Sequence, residues 1–198
     1  MKTQKYILIT LIFSCTLFGQ SFGRNKVQYR EFDWSFIQTP NFDIYFYGEN
    51  QDLAEFTSKV SEDSYKQIST HLAWDLRNRV SILVYNSHNE FQQTNVVGTY
   101  MSEGIGGVTE LFKNRIVFPF DGDFEQFRHV IHHELVHAML NDMVYGGTAQ
   151  NMVASRTRVR IPLWSNEGLA EFLSSNWDTK ADMVLRDIAV HERMPTIN

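Results

Sequence analysis

Apolar and polar positions change period several times along the chain, and each change marks an element. Residues 41–47 (NFDIYFY) alternate with period two and predict a strand, closed by Gly48 and Asn50. From Asn50 or Gln51 to about Leu72, the apolar positions Leu53, Phe56, Val60, Tyr65 and Ile68 fall at helical spacing in an otherwise polar run. Residues 79–85 (RVSILVY) form the clearest strand. Ser87 with Glu90 three residues on is a capping box, which predicts a short helix over 89–94. Residues 97–107 are glycine-rich and aperiodic and read as a loop. Residues 108–111 and 115–120 read as two strands around a turn at Lys113 and Asn114, with Pro119 putting the second strand at a sheet edge or marking its end.

Asp123, with Gln126 three residues later, caps a helix whose apolar stripe is Phe124, Phe127, Ile131, Leu135 and Val136. Periodicity lapses from Asp142 to Ile161, where Gly146 and Gly147 are followed by an alternation of Arg156, Arg158 and Arg160, read as the solvent-facing edge of an extended segment. Pro162 opens a second helix, and Thr179 with Asp182 caps a third that runs to about Arg193. Residues 24–40 mix aromatic and polar side chains and receive no element. The fold class expected is α+β: a small mixed sheet with an edge strand packed on the Asp123-capped helix, then a mainly helical C-terminal part.

Composition limits the classes that this pattern can serve. At 198 residues, 43% hydrophobic and 14% aromatic, the chain has enough apolar surface for one packed domain and is not a disordered sequence. Residues 1–23 carry Lys2 and Lys5, an apolar run over 6–18, then small and polar residues including Ser21 and Gly23. That is the layout of a secretory signal peptide, and the run is too short for a comfortable membrane span. The expected domain is therefore 24–198, exported to the periplasm, cell envelope or exterior. Cys15, the single cysteine, lies in the apolar run after Ser14, so lipid attachment is the alternative to free export, and the domain itself can form no internal disulfide. Without Lys2 and Lys5, 16 basic side chains face 23 acidic ones, and the net charge moves from −5 to −7, which argues against a general nucleic-acid binder. Residues 194–198 carry no terminal signature, and the expectation is that the chain is the N-terminal part of a longer one.

The chemistry concentrates in His133-Glu134-x-x-His137, inside the Asp123-capped helix. Four helical residues advance about 6 Å and slightly more than one turn, so both imidazoles leave the same face within reach of one ion. Zinc accepts imidazole nitrogen, and a catalytic zinc takes three protein ligands and leaves one position for water. Glu134, one step round the helix, is placed to accept that water's proton without being a ligand. These residues point to a zinc hydrolase with one Zn2+ per chain. His129 shares the stripe, but it lies about 12 Å from His137 along the axis, so one ion cannot take both. His132 leaves the stripe and reads as a polar partner. The metzincin spacing would need a glycine at 140 and a histidine at 143, where the chain has Leu140 and Met143. A carboxylate from another helix is the alternative third ligand, and residues 166–171 (NEGLAE) offer Glu167 and Glu171 four apart on one face. Gly168 and Ala170 are small enough to let that helix approach another.

On these two motifs the chain resembles the gluzincins, the thermolysin-like zinc peptidases of the peptidase MA type. The resemblance implies a zincin-like fold, a peptide or protein substrate, His133, His137 and Glu167 as metal ligands, Glu134 as general base, and Glu171 as a partner that orients a ligand histidine. It also implies that an edge strand, here 115–120, holds an extended substrate; a separate hypothesis is that the glycines at 104, 106 and 107 let the rim close over it. Tyr145 and His191 are the candidates for stabilising the oxyanion. The connection from His137 to Glu167 is longer than in the shortest members of the group. A competing reading is a zinc-holding, non-catalytic interaction domain of a larger cell-envelope protein, joined to a repeat module such as a β-propeller. Glu134 counts against it, because a structural zinc site needs no base.

Overall fold

The strands form where alternation lets one face of the chain bury apolar side chains, and the long helices cover that face. In the computed structural model, residues 30–94, 105–110, 114–146, 161–175, 177, 179–191 and 193 are described. The signal-like segment with Cys15, Gly104, and Arg156, Arg158 and Arg160 lie outside them. All elements belong to Glu31–Asn198. In chain order they are β1 (Trp34–Gln38), β2 (Phe42–Tyr47), α1 (Gln51–Leu72), β3 (Val80–Tyr85), α2 (His88–Phe91), β4 (Val108–Glu110), β5 (Arg115–Pro119), α3 (Phe124–Tyr145), α4 (Leu163–Ser174) and α5 (Thr179–Val190).

The five strands make one mixed sheet in the order β1-β2-β3-β5-β4. β2, β3 and β5 run parallel at the centre, while β1 and β4 are antiparallel to their neighbours at the two ends. The parallel pair β2 and β3 needs a crossover, and α1 supplies it. Phe42, Ile44, Val80, Ile82, Ile116 and Phe118 are fully buried in one core with Val60 and Ile68 of α1 and Ile131, Leu135 and Met139 of α3. Burying each such side chain contributes about 1.5–3 kcal/mol. The opposite face of the sheet carries a smaller cluster of Tyr47, Tyr85, Phe91 and Val117, with Phe32 packed against it. There the Tyr47 hydroxyl donates to Glu90 Oε2 at 2.7 Å and accepts from the Asn86 amide at 2.8 Å. Burial, more than these bonds, holds its pKa well above the usual 10.0. Among the described residues, no helix is long and apolar enough to cross a membrane.

The mixed α+β architecture agrees with the sequence expectation, and several boundaries differ from it. β1 occupies part of the segment that received no element. Trp34 and Phe36 of β1 are exposed and only Ile37 is partly buried against the core, too little for a pattern to reveal. β5 is internal, between β3 and β4, and the edge strand is β4. Pro119 is the last residue of β5, so it marks a strand end and not an edge. α3 continues through Asp142 to Tyr145, where Gly146 in the left-handed region (φ 78°) closes it. Asp142 is fully buried and accepts from Trp74 Nε1 at 3.0 Å and the Arg77 amide at 3.4 Å, which makes this polar residue a core anchor and not the start of a loop. Phe124 is exposed at the mouth of the stripe, against the rings of Phe56 and Phe120. Asp123 caps α3 as expected, its Oδ1 accepting from the amides of Glu125 and Gln126.

Candidate metal centre

α3 sets the two imidazoles. Ile131, Leu135 and Met139 fix one face of the helix in the core, and the neighbouring face carries His133 and His137 toward α4. Their Nε2 atoms lie 3.2 Å apart. Glu167 of α4 brings its Oε2 to 3.4 Å from each of them. Three donor atoms from two helices therefore form a nearly equilateral triangle. Two ligands of a tetrahedral zinc with bonds of 2.0–2.1 Å stand about 3.3–3.4 Å apart, so the three separations fit such an ion. Two imidazoles and one carboxylate are also a donor set that zinc favours. His137 is buried, whereas Glu167 is half exposed, so the triangle is closed on its inner side and open to water on the α4 side.

A second network stands behind the first. Glu171, one turn beyond Glu167, places Oε2 3.5 Å from His133 Nδ1 and 3.7 Å from His129 Nε2. Ser175 Oγ donates to Glu171 Oε1 at 3.0 Å and lies 3.2 Å from His129 Nδ1. His129, His133 and Glu171 thus make a second group of metal-ligating atoms that shares His133 with the first. A neutral imidazole has one lone-pair nitrogen, so His133 cannot serve both groups at once without losing its second proton. When Nε2 is the ligand, the Nδ1 proton points to Glu171, which orients the ring. His137 Nδ1 is buried and has no hydrogen-bond partner among the described residues. His132 lies off the stripe as expected, and burial, with His129 and His71 nearby, lowers its pKa.

Glu134 belongs to neither ligand group. Its carboxylate turns to the edge strand, where the Thr109 hydroxyl reaches its Oε2 at 2.6 Å. The backbone of Gly107 lies against the same side chain. A Cβ at position 107 would sit 2.9 Å from Glu134 Cγ and 2.9 Å from Phe118 Cδ1, contacts that only glycine avoids. Gly106 is similarly close to Val130. These glycines let the chain leading into β4 approach α3 closely.

Among the described residues, no hydrogen bond or ion pair joins Tyr145 or His191 to the triangle. Tyr145 is buried two turns past His137, about 12 Å along the helix. His191 lies just beyond α5, with Nδ1 2.9 Å from the Asp187 carbonyl and 3.3 Å from its carboxylate. Gly168 faces open space, so close approach of α4 rests on Ala170, which is fully buried. A cleft of about 910 Å³ between α1, α3 and α4 is lined by His71, Arg128, His129, His132, Glu171 and Trp177, but by none of the triangle residues. Sequence reasoning missed Thr109 and Ser175. Ser175 had a signal in its position four residues after Glu171, whereas Thr109 had only its place in a short strand. Comparison of the chain with protein-family models, curated proteins and solved structures returns no match.

Proposed function

We propose that the chain is a zinc-dependent peptidase of gluzincin type, with one zinc ion held by His133, His137 and Glu167 and with Glu134 as general base. The observation that carries this reading is the convergence of three donor atoms at 3.2–3.4 Å, with Glu134, next in the chain to His133, in neither group of candidate ligands. When bound there, zinc supplies a Lewis acid that makes water acidic near neutral pH and polarises a carbonyl. Glu134 takes one proton from the attacking water and passes it to the departing amine nitrogen, so the amide C–N bond breaks while a C–O bond forms. Glu171 keeps the His133 ring in register, its carboxylate facing the Nδ1–H that donates toward it. β4, the outermost strand next to α3, offers backbone groups that can pair with an extended peptide. The signal-like pattern of residues 1–23 supports an activity outside the cytoplasm.

The non-catalytic alternative draws on Tyr145, which is buried about 12 Å along α3 from His137 and so leaves the oxyanion without an assigned donor. Zinc content and hydrolysis of fluorescent casein, measured on the wild-type chain, Glu167→Ala and Glu134→Gln, separate the two readings. The peptidase reading expects one zinc in wild type and in Glu134→Gln, a marked loss in Glu167→Ala, and hydrolysis about 10²–10⁴-fold slower in Glu134→Gln. A folded wild type without zinc would end it. So would a Glu134→Gln variant as fast as wild type.

A further inference from the structure

The geometry points to Thr109 as the positioning residue of Glu134, holding the base's carboxylate in place from the edge strand through its hydroxyl; the inference rests on the peptidase reading for Glu134. Thr109 Oγ1 lies 2.6 Å from Glu134 Oε2 and 3.1 Å from the Glu134 carbonyl oxygen. The hydroxyl has one hydrogen. The shorter contact falls in the range of charge-assisted O–H···O⁻ bonds, about 2.5–2.7 Å, so the carboxylate receives it. A flexible glutamate side chain is thereby tied at its end.

Two further contacts make this a built arrangement and not a surface encounter. Successive strand residues face opposite sides, so Gly107 and Thr109 face α3 together while Val108 and Glu110 face away. Gly107 meets the Glu134 stem at Cγ, and Thr109 meets its head. Thr109 in turn is paired across the ladder with Ile116, a fully buried residue of internal β5. On the outward side, Glu110 and Arg115 close the same ladder with a contact of 2.6 Å. The strand that could receive substrate is thus the strand that fixes the base, and a peptide paired to β4 would be registered against Glu134 by the same backbone. A hydroxyl that only filled space would serve as well as a methyl group; one that positions a base would not.

The test uses the full chain with Thr109→Val, which keeps the shape and removes the hydroxyl, and Thr109→Ser, which keeps the hydroxyl. Thr109→Ala repeats the first should the valine variant not fold. Three quantities are read: zinc content, kcat and KM on fluorescent casein, and the carboxyl 13C resonance of Glu134 in glutamate-labelled protein, assigned with Glu134→Gln. The expected result is unchanged zinc, kcat lowered about 100-fold in Thr109→Val with KM within about twofold, recovery to within about threefold in Thr109→Ser, and a Glu134 resonance that moves in the valine variant and returns in the serine variant. Wild-type kcat in Thr109→Val, or a Glu134 resonance that does not move, would overturn the assignment. If zinc-loaded wild type hydrolyses nothing, the peptidase reading fails by itself, and the resonance alone then decides whether Thr109 holds the carboxylate.

Discussion

α3 and α4 each contribute to the same triangle of donor atoms, yet they are anchored very differently. α3 has ten buried residues and packs on the sheet beside α1. α4 has one, Ala170, with Leu169 and Leu173 partly buried beside it, while Leu163, Trp164 and Phe172 are exposed. The two imidazoles are therefore preorganised by the core itself. Glu167 is placed by a helix that gains little from burial. If zinc is held there as proposed, Glu167 is the ligand whose position the ion can reinforce. Binding energy then stabilises the docking of α4 more than it stabilises α3.

The sharpest way to break this contrast is to cut the core under α3. Leu135 is fully buried between the two histidines, and Leu135→Ala should cost about 2–5 kcal/mol in urea unfolding of the chelator-treated chain. A cost below about 1 kcal/mol would mean that α3 is no better anchored than α4. The next effect is that of the ion. At a zinc concentration of 100 times Kd, thermal unfolding should report about 2.7 kcal/mol of added stability, which Glu167→Ala should remove. Hydrogen exchange measured with and without zinc should slow mainly in α4. Equal slowing in α3 and α4 would sink the idea that the histidine pair is ready in advance.

A third change acts at the contact between α3 and β4. Gly107→Ala forces a methyl group to within 2.9 Å of Glu134 and Phe118, which should cost about 1–3 kcal/mol and displace the strand outward. Hydrolysis should fall further than stability does, because Glu134 moves with the strand, and an unaltered rate would disconnect Gly107 from the site.

How much of this was legible in the sequence depends on the range of the contacts involved. Asp123 and Gln126 announced α3, and the i, i+4 spacing of His133 and His137 told where their rings would point, because both signals are local. The pairing of Glu167 with them rested on a motif, and its Oε2 lies 3.4 Å from each Nε2. Strand order was not legible. β5 reads as an edge because of Pro119, but whether a strand has one neighbour or two is decided by residues far along the chain, and β4 is only three residues long. β1 left no trace because only Ile37 of its five residues is partly buried. Asp142 looked like loop material, since a polar residue reveals nothing of a distant Trp74 that needs an acceptor. Thr109 was hidden for the same reason: its partner is 25 residues away, on another element.

The smallest expected effect tests the α4 side of the contrast. Phe172 lies on α4 one residue after Glu171, and its side chain is 76% exposed, so it contributes little apolar burial to the fold. Phe172→Ser should change stability by less than about 0.5 kcal/mol, whereas an aromatic ring in the core would cost several times more. Serine is a weaker helix former than leucine or alanine but close to phenylalanine, so propensity does not confound the comparison. The measurement is urea unfolding with zinc absent, set beside Leu135→Ala under identical conditions. If Phe172→Ser instead costs more than about 1.5 kcal/mol, the ring is buried in solution by something packed over α4. Glu167 would then be as firmly placed as the histidines, and the ion would have no docking left to reinforce.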